Sequence, residues 1–286
     1  MDRRTFLVSV LAAPTFARFA NPLVPALVAA PSWPQWGGPH RNFHADAQGL
    51  KDAWPATGPS IVWKRTLGNG RSAPVVERDV LITTYRRPGD EIVIAVSAET
   101  GATLWEHALP IRAQKDAGRR IEGANSTPLI ADGRVYVVDA GGHLQCLEME
   151  TGKPAWTQHL SAGRAFGPIA LREPLPDCNA IRVDDTLYCS IGGRRSQATL
   201  VAVDARSGRI HWQARTMEKA AFVWANRKLI ALARDGQLIL AHPSPRGFRI
   251  TAKAPLLTPC SRTPPAVVGS RLYLRDCHSL MAVDLG

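Results

Sequence analysis

A short phrase of sequence recurs along this chain at a regular spacing. The segments Ala95–Trp105 (AVSAETGATLW), Cys146–Trp156 (CLEMETGKPAW) and Ala202–Trp212 (AVDARSGRIHW) each place a glycine four residues before a tryptophan. Met281–Gly286 (MAVDLG) begins the phrase once more without its tryptophan. The tryptophans recur about every 50 residues, a period that indicates a repeat architecture rather than one domain per copy.

Between the phrases, the sequence is typical of short antiparallel strands. The segments 72–84 and 126–138 are rich in Val, Ile, Leu and Tyr, and turn pairs such as Asp132-Gly133 interrupt them. Four strands in roughly 40–45 residues is the size of one propeller blade. We predict an all-β fold, a β-propeller of four-stranded blades with about five units. The predicted units are 72–109, 126–160, 178–216, 220–254, and 263–286 joined with 58–67.

The two ends of the chain are predicted to complete one blade together. Ile61–Leu67 has the pattern of a fourth strand, with no first three strands before it, whereas the last unit lacks its fourth strand. An N-terminal strand that closes the last blade removes exposed strand edges. Large flat indoles suit the gaps between blades, and Thr251 stands at the equivalent position in the fourth unit. The tryptophans predicted to be buried as docking residues are Trp63, Trp105, Trp156 and Trp212.

The repeat resembles that of a known family. The spacing Ala-x-Asp-x-x-x-Gly-x-x-x-Trp in Ala202–Trp212 is similar to the tryptophan-docking repeat of PQQ-like (quinoprotein-type) β-propellers. Trp33–Asn42 (WPQWGGPHRN), followed by GPSIVWKRTLGNGRSAPVV, resembles the start of bacterial exported members. The resemblance implies roughly seven or eight blades and in some members a dehydrogenase activity. With about five units here, it stays open whether five blades close alone, a pair of blades is missing, or two chains join.

The first 30 residues read as an export signal. Asp2–Val8 (DRRTFLV) places paired arginines before an apolar run and resembles a twin-arginine signal. The predicted organisation is a signal peptide at 1–30, an N-terminal segment at 31–57 and a PQQ-like propeller domain at 58–286. We therefore expect a periplasmic or extracellular protein, and the mature chain has no apolar run long enough to span a membrane.

Five cysteines in an exported chain permit disulfides. Cys260 and Cys277 are the first candidate pair, because the loop before the last blade and a turn within that blade lie on the same face. Cys178 and Cys189 are a second candidate pair on neighbouring strands, which leaves Cys146 unpaired. A fully reduced set of five is the alternative.

No catalytic motif stands out. The quinoprotein dehydrogenases that the repeat resembles carry two adjacent cysteines over the cofactor and a calcium held by acidic and amide side chains. This chain has no adjacent cysteines and no acidic cluster with calcium-loop spacing. We predict no catalytic residue, no metal site and no cofactor, with PQQ and calcium as the alternative.

Positive charge is the strongest functional signal. The chain has a net charge of +11, and many of its arginines, Arg275 included, fall on the links between blades and on the second turn of each blade. In a propeller these loops share one face. Arginine suits bidentate contact with carboxylate or phosphate, whereas a surface that only maintains solubility is the alternative. The candidate ligand-binding residues of this basic face are Arg71, Arg86, Arg87, Arg194, Arg195 and Arg262.

The sequence therefore predicts an exported, non-catalytic binding or scaffold module. Its basic face would take an acidic small molecule, polymer or protein of the cell envelope. A PQQ-dependent quinoprotein oxidoreductase is the alternative function. Nucleic acid is not expected as a partner, because export separates the protein from it.

Overall fold

The computed structural model describes residues 31–110, 124, 126–139, 143–159, 179–191 and 198–286. The chain divides into two units, Met1–Ala30 and Pro31–Gly286, and the described strands belong to the second unit. Arg194, Arg195 and Cys178 lie outside the described residues.

The described residues form strands joined by turns. In chain order the strands are β1 (His44–Ala45), β2 (Ser60–Thr66), β3 (Val75–Glu77), β4 (Val80–Arg87), β5 (Asp90–Ser97), β6 (Thr103–Pro110), β7 (Leu129–Ala131), β8 (Arg134–Val138), β9 (His143–Glu148), β10 (Pro154–His159), β11 (Ile181–Val183), β12 (Thr186–Ile191), β13 (Ala198–Asp204), β14 (Ile210–Met217), β15 (Ala220–Ala225), β16 (Lys228–Ala233), β17 (Gln237–Ser244), β18 (Gly247–Pro255), β19 (Ala266–Val268), β20 (Arg271–Arg275) and β21 (Ser279–Asp284).

These strands form five sheets. Each contains an antiparallel meander of four strands, lettered a to d from the inner strand, and β1 adds a fifth, parallel strand to one of them. Blade 1 is β3–β6, blade 2 is β7–β10, blade 3 is β11–β14 and blade 4 is β15–β18. Blade 5 is β19–β21 completed by β2, which pairs antiparallel with β21. The predicted all-β propeller fold and the closure of the last blade by the N-terminal strand are both confirmed.

The recurring phrase has a structural cause in the pairing of strands c and d. In blades 1, 2, 3 and 5 the register of this pair shifts next to the docking tryptophan, as it does between Ile61 and Trp63 in blade 5. Such bulges turn a side chain out of the regular alternation of a strand. The recurring spacing therefore places each of these tryptophans beside a bulge in its blade.

The inner strands pack in a fixed order. Strand β11 packs on β15, β15 on β19, β19 on β3, and β3 on β7. The blades therefore follow one another as 3, 4, 5, 1 and 2. Apolar residues of strands b and c between these sheets form the core, and every residue of β16 is buried.

The N-terminal segment lies inside the set of inner strands. Trp33 exchanges two backbone hydrogen bonds with Val76 of β3 (2.7 and 2.8 Å), and the Ile130 amide of β7 donates to the Pro34 carbonyl (2.8 Å). Strand β1 pairs in parallel with β15, the inner strand of blade 4. The inner edges of blades 1, 2 and 4 thus form backbone hydrogen bonds with this segment. The segment covers strand edges that would otherwise be open to pairing with another strand. The sequence indicated a preceding segment but not this position.

Candidate functional site

Two predicted ligand-binding arginines meet where blade 5 adjoins blade 1. The link between these blades places Asn69 beside the end of β4, where the Arg86 amide donates to the Asn69 carbonyl (2.7 Å). The next residue of the link, Gly70, donates to the Cys277 carbonyl in the b–c turn of blade 5 (3.2 Å). Arg71 follows directly. The b–c turns of both blades therefore border the link that carries Arg71.

A disulfide draws a third arginine toward the same junction. Cys260, in the loop that leads into blade 5, is bonded to Cys277 in the b–c turn, with a Cα–Cα distance of 5.6 Å. Arg262 stands two residues after Cys260 and is therefore tied to that turn. Of the other cysteines, Cys146 is buried and free, and Cys189 is free and partly buried.

Arg87, which follows Arg86 at the end of β4, is held by acidic side chains of its own blade. Its guanidinium lies 3.4 Å from Asp90 and 3.6 Å from Glu106. Glu106 also accepts a hydrogen bond from the Tyr85 hydroxyl (3.0 Å). Burial and this carboxylate raise the pKa of Tyr85 above its ordinary value. Much of the charge of Arg87 is thus balanced locally.

The same loop arrangement recurs in blade 4. There the Arg234 amide donates to the Lys219 carbonyl (2.8 Å), as the Arg86 amide does to Asn69 in blade 1. Both residues of the blade 4 pair are cations. A comparison of the residues at the end of strand b in each repeat identifies this pair from the sequence.

Arg275 does not belong to the basic face, although the sequence pattern placed it there. It is 1% exposed, and burial lowers the pKa of its guanidinium to about 10, so it stays charged at neutral pH. It joins blade 5 to the link and to β4 of blade 1. Its guanidinium donates to the carbonyls of Gly70, Ser72, Thr84 and Asp276 and to the Thr83 hydroxyl, at 2.9–3.1 Å.

Asp276 is the acidic residue of the same turn, and it is buried. Its carboxylate accepts hydrogen bonds from the Thr258 amide (3.0 Å) and hydroxyl (2.7 Å) and from the amides of His278 (2.8 Å) and Ser279 (2.6 Å). Burial alone would raise the pKa of Asp276, but these hydrogen bonds outweigh it and hold the pKa below its ordinary value. This carboxylate therefore orders the turn that supports the disulfide.

A cleft of about 950 Å³ lies on the opposite face, bordered by the a–b turns of blades 3 and 4. Sequence reasoning missed it. Lys228 is buried; its ammonium donates to the Leu50 carbonyl (2.9 Å) and lies 3.1 Å from Asp52. Asp185, on the other side of the cleft, pairs with Arg182 and Arg206. The charges that border this cleft are thus largely paired with one another.

The docking tryptophans differ in their surroundings. Trp63 and Trp105 are buried, and their indole nitrogens donate to the carbonyls of the next blade at 2.9 and 2.8 Å. Trp212 is partly buried and donates to the Ser244 carbonyl of blade 4 (2.7 Å). Trp156 is 46% exposed, so the expected burial between blades is wrong for this residue.

Two features of the described residues bear on the alternative of PQQ with calcium. Within them, no group of three or more His, Cys, Asp or Glu side chains is placed to hold a metal ion. The space among the inner strands is taken by the N-terminal segment, whose Trp33, Phe43 and Leu50 are buried. In the same part of the chain, no helix has the length and apolar character to cross a membrane.

Comparison with known proteins gave a family and several relatives. A family model described as outer membrane protein assembly factor BamB matches residues 51–216, more than half of the chain. The 1-butanol dehydrogenase (cytochrome c) of Thauera butanivorans is 30% identical over 95 residues, which are 33% of this chain and 13% of the dehydrogenase. The match therefore spans only a small part of that enzyme's length.

Solved structures of low identity also match. BamB from Moraxella catarrhalis gives a TM-score of 0.27 at 18% identity, covering 73% of this chain and 71% of that one. A europium-containing methanol dehydrogenase gives a TM-score of 0.36 at 11% identity, covering 86% of this chain and 56% of that one.

Proposed function

This chain belongs to the PQQ-like repeat family of the outer membrane protein assembly factor BamB, and on that premise we propose that it is an exported, non-catalytic binding module. Its basic face, centred on Arg71, Arg86 and Arg262, takes an acidic ligand or partner of the cell envelope. The observation that carries the proposal is that the backbone positions of these arginines lie at one junction, through the interblade link, the b–c turns and the Cys260–Cys277 disulfide.

The chemistry of the face favours carboxylate or phosphate groups. Guanidinium groups bind such anions through paired, charge-assisted hydrogen bonds. The nearby Asp276 carboxylate is engaged by four hydrogen bonds, two from Thr258 and two from its own turn. A net charge of +11 adds long-range attraction for an acidic partner.

A salt titration with a polyglutamate peptide tests the proposal. We expect Arg86→Ala with Arg262→Ala to weaken binding by about 1.5–3 kcal/mol for each charge-assisted hydrogen bond removed. The affinity of the unmodified chain should fall steeply with salt, because exposed charges are screened beyond about 8–10 Å at physiological ionic strength.

The control pair is Arg227→Ala with Arg246→Ala, two exposed arginines in turns of the opposite face. It should leave the affinity and its salt dependence nearly unchanged. Equal decreases in affinity in the two double variants, or no decrease in either, would contradict the assignment of the basic face.

A quinoprotein oxidoreductase is a second candidate, favoured by the 95-residue match to a 1-butanol dehydrogenase. The described residues do not fit its cofactor, because they hold no acidic cluster for calcium and the N-terminal segment fills the space among the inner strands. Its test is incubation with PQQ and calcium, followed by absorbance and by dye-linked oxidation of 1-butanol. Bound quinone with turnover would favour this candidate over the binding module.

A further inference from the structure

Two junctions of the propeller are held by the same joint. The indole nitrogen of a strand d tryptophan donates to a carbonyl in the c–d turn of the next blade, and its ring lies on the glycine three residues later. The Trp63 indole donates to the Ala98 carbonyl (2.9 Å), and its ring lies on Gly101. The Trp105 indole donates to the Met149 carbonyl (2.8 Å), and its ring lies on Gly152. A Cβ at either glycine would approach the tryptophan ring more closely than real Cβ atoms do.

A third junction uses half of this joint. Trp212 of blade 3 donates to the Ser244 carbonyl of blade 4 (2.7 Å), at the same position of the turn. Its ring packs against Phe248, with ring centres 5.9 Å apart. The hydrogen bond from indole to turn carbonyl is therefore the feature common to all three junctions.

Between blades 2 and 3 both halves of the joint are present but apart. Trp156 of blade 2 is 46% exposed, and its ring contacts Tyr136 of its own blade, at 6.1 Å between ring centres. Gly208 of blade 3 occupies the position of Gly101 and Gly152 and has the same left-handed backbone, with φ of 73°. Among the described residues, no atom lies within 4 Å of where its Cβ would be. Ile210, two residues on, is 56% exposed.

We propose that this open seam docks a second copy of the same chain, with Trp156 of each copy on Gly208 of the other. The seam is self-complementary, because one chain carries both an exposed tryptophan and the open glycine turn that fits it. Continuity supports it as well, because the same joint already holds neighbouring blades within the chain. A two-fold axis would form both seams at once and leave neither half exposed. This proposal is independent of the basic face.

Sedimentation of the chain lacking residues 1–30, alone and as variants, tests the seam. We expect the unmodified chain to form dimers. Trp156→Ala removes the indole, and Gly208→Ala places a methyl group where the ring would lie, so each variant alone should be monomeric. An equimolar mixture of the two variants should regain part of the dimer, since one of the two seams then keeps an intact Trp156 and an intact Gly208.

Matched controls separate docking from general damage. Trp36→Ala removes a tryptophan of similar exposure, 48%, from the N-terminal segment instead of strand d. Gly49→Ala imposes a methyl group at the same φ of 73° with open space around it. Both should dimerise like the unmodified chain. A monomeric unmodified chain, a dimer that survives both seam variants, or a mixture that stays monomeric would each overturn the proposal.

Discussion

Each buried docking tryptophan combines one hydrogen bond with a large apolar contact. The Trp105 indole donates to the Met149 carbonyl, and its ring covers Gly152 of the next blade. Trp156 has the same local sequence context but about half of its surface meets solvent. Identical local patterns thus carry different energies, because the energy comes from the neighbouring blade.

We expect Trp105→Ala to lower the free energy of unfolding by about 3–5 kcal/mol, through reduced burial and a residual cavity. Trp156→Ala should cost much less in dilute, monomeric protein. Urea denaturation followed by far-UV circular dichroism measures both. Equal costs at the two positions would mean that Trp156 is docked within the chain.

Arg275 is a buried cation that holds two blades together. Its guanidinium is surrounded by carbonyl and hydroxyl acceptors that belong to two blades. Removing one partner of such a buried polar set leaves the others without hydrogen bonds.

We therefore expect Arg275→Met to destabilise the fold by roughly 3–5 kcal/mol. Arg246→Met, on an exposed turn, is the matched control and should change stability by less than about 0.5 kcal/mol. Thermal unfolding of both variants gives the comparison. A stable Arg275→Met variant would show that the acceptors find other donors.

At the scale of elements, the N-terminal region provides two separate strands. Strand β2 completes blade 5 from the outside, whereas β1 and Trp33 pair with inner strands. A single stretch of about 35 residues thus covers both an outer and an inner edge, in keeping with the cost of leaving strand edges open.

We expect Trp33→Ala to lower stability by about 3–5 kcal/mol, because its side chain is 2% exposed. Trp36→Ala, three residues along and largely exposed, should have little effect. Hydrogen exchange should also speed up in β3, which Trp33 covers. Unchanged exchange in β3 would argue against this position of the N-terminal segment.

At the scale of the whole molecule, a net charge of +11 means that acid conditions destabilise the folded state through repulsion between positive charges. Protonation of carboxylates adds further positive charge and removes their hydrogen bonds. Asp276 is the clearest case, because its pKa lies below the ordinary value in the folded state.

The sign of the pH dependence follows from that shift. The unfolded chain binds the Asp276 proton more readily, so the stabilisation is complete above about pH 4 and is lost as pH falls through the folded pKa. We expect Asp276→Asn to be less stable at neutral pH and to lose less stability on acidification. Urea midpoints measured from neutral pH to about pH 3 test this; parallel pH curves for the two proteins would contradict it.

Much of the fold was predictable from short-range patterns. Strand alternation, turn pairs and the glycine-to-tryptophan spacing act within a few tens of residues, and they located five blades and the role of Ile61–Leu67 as a fourth strand. The loops that carry Arg71, Arg86 and Arg262 followed from the blade assignment, because a meander places its turns on alternate faces.

The sequence by itself therefore determined the four-stranded blades, the glycine-to-tryptophan spacing and the surplus of positive charge. Only the tertiary structure decided which arginine is exposed and which is buried: Arg275 meets the Gly70 carbonyl, 205 residues away in the chain. It also decided that the N-terminal segment lies among the inner strands, and that Trp156 is exposed while Trp105 is buried. The physical reason is that burial and hydrogen-bond satisfaction depend on residues distant in sequence, which no local pattern specifies.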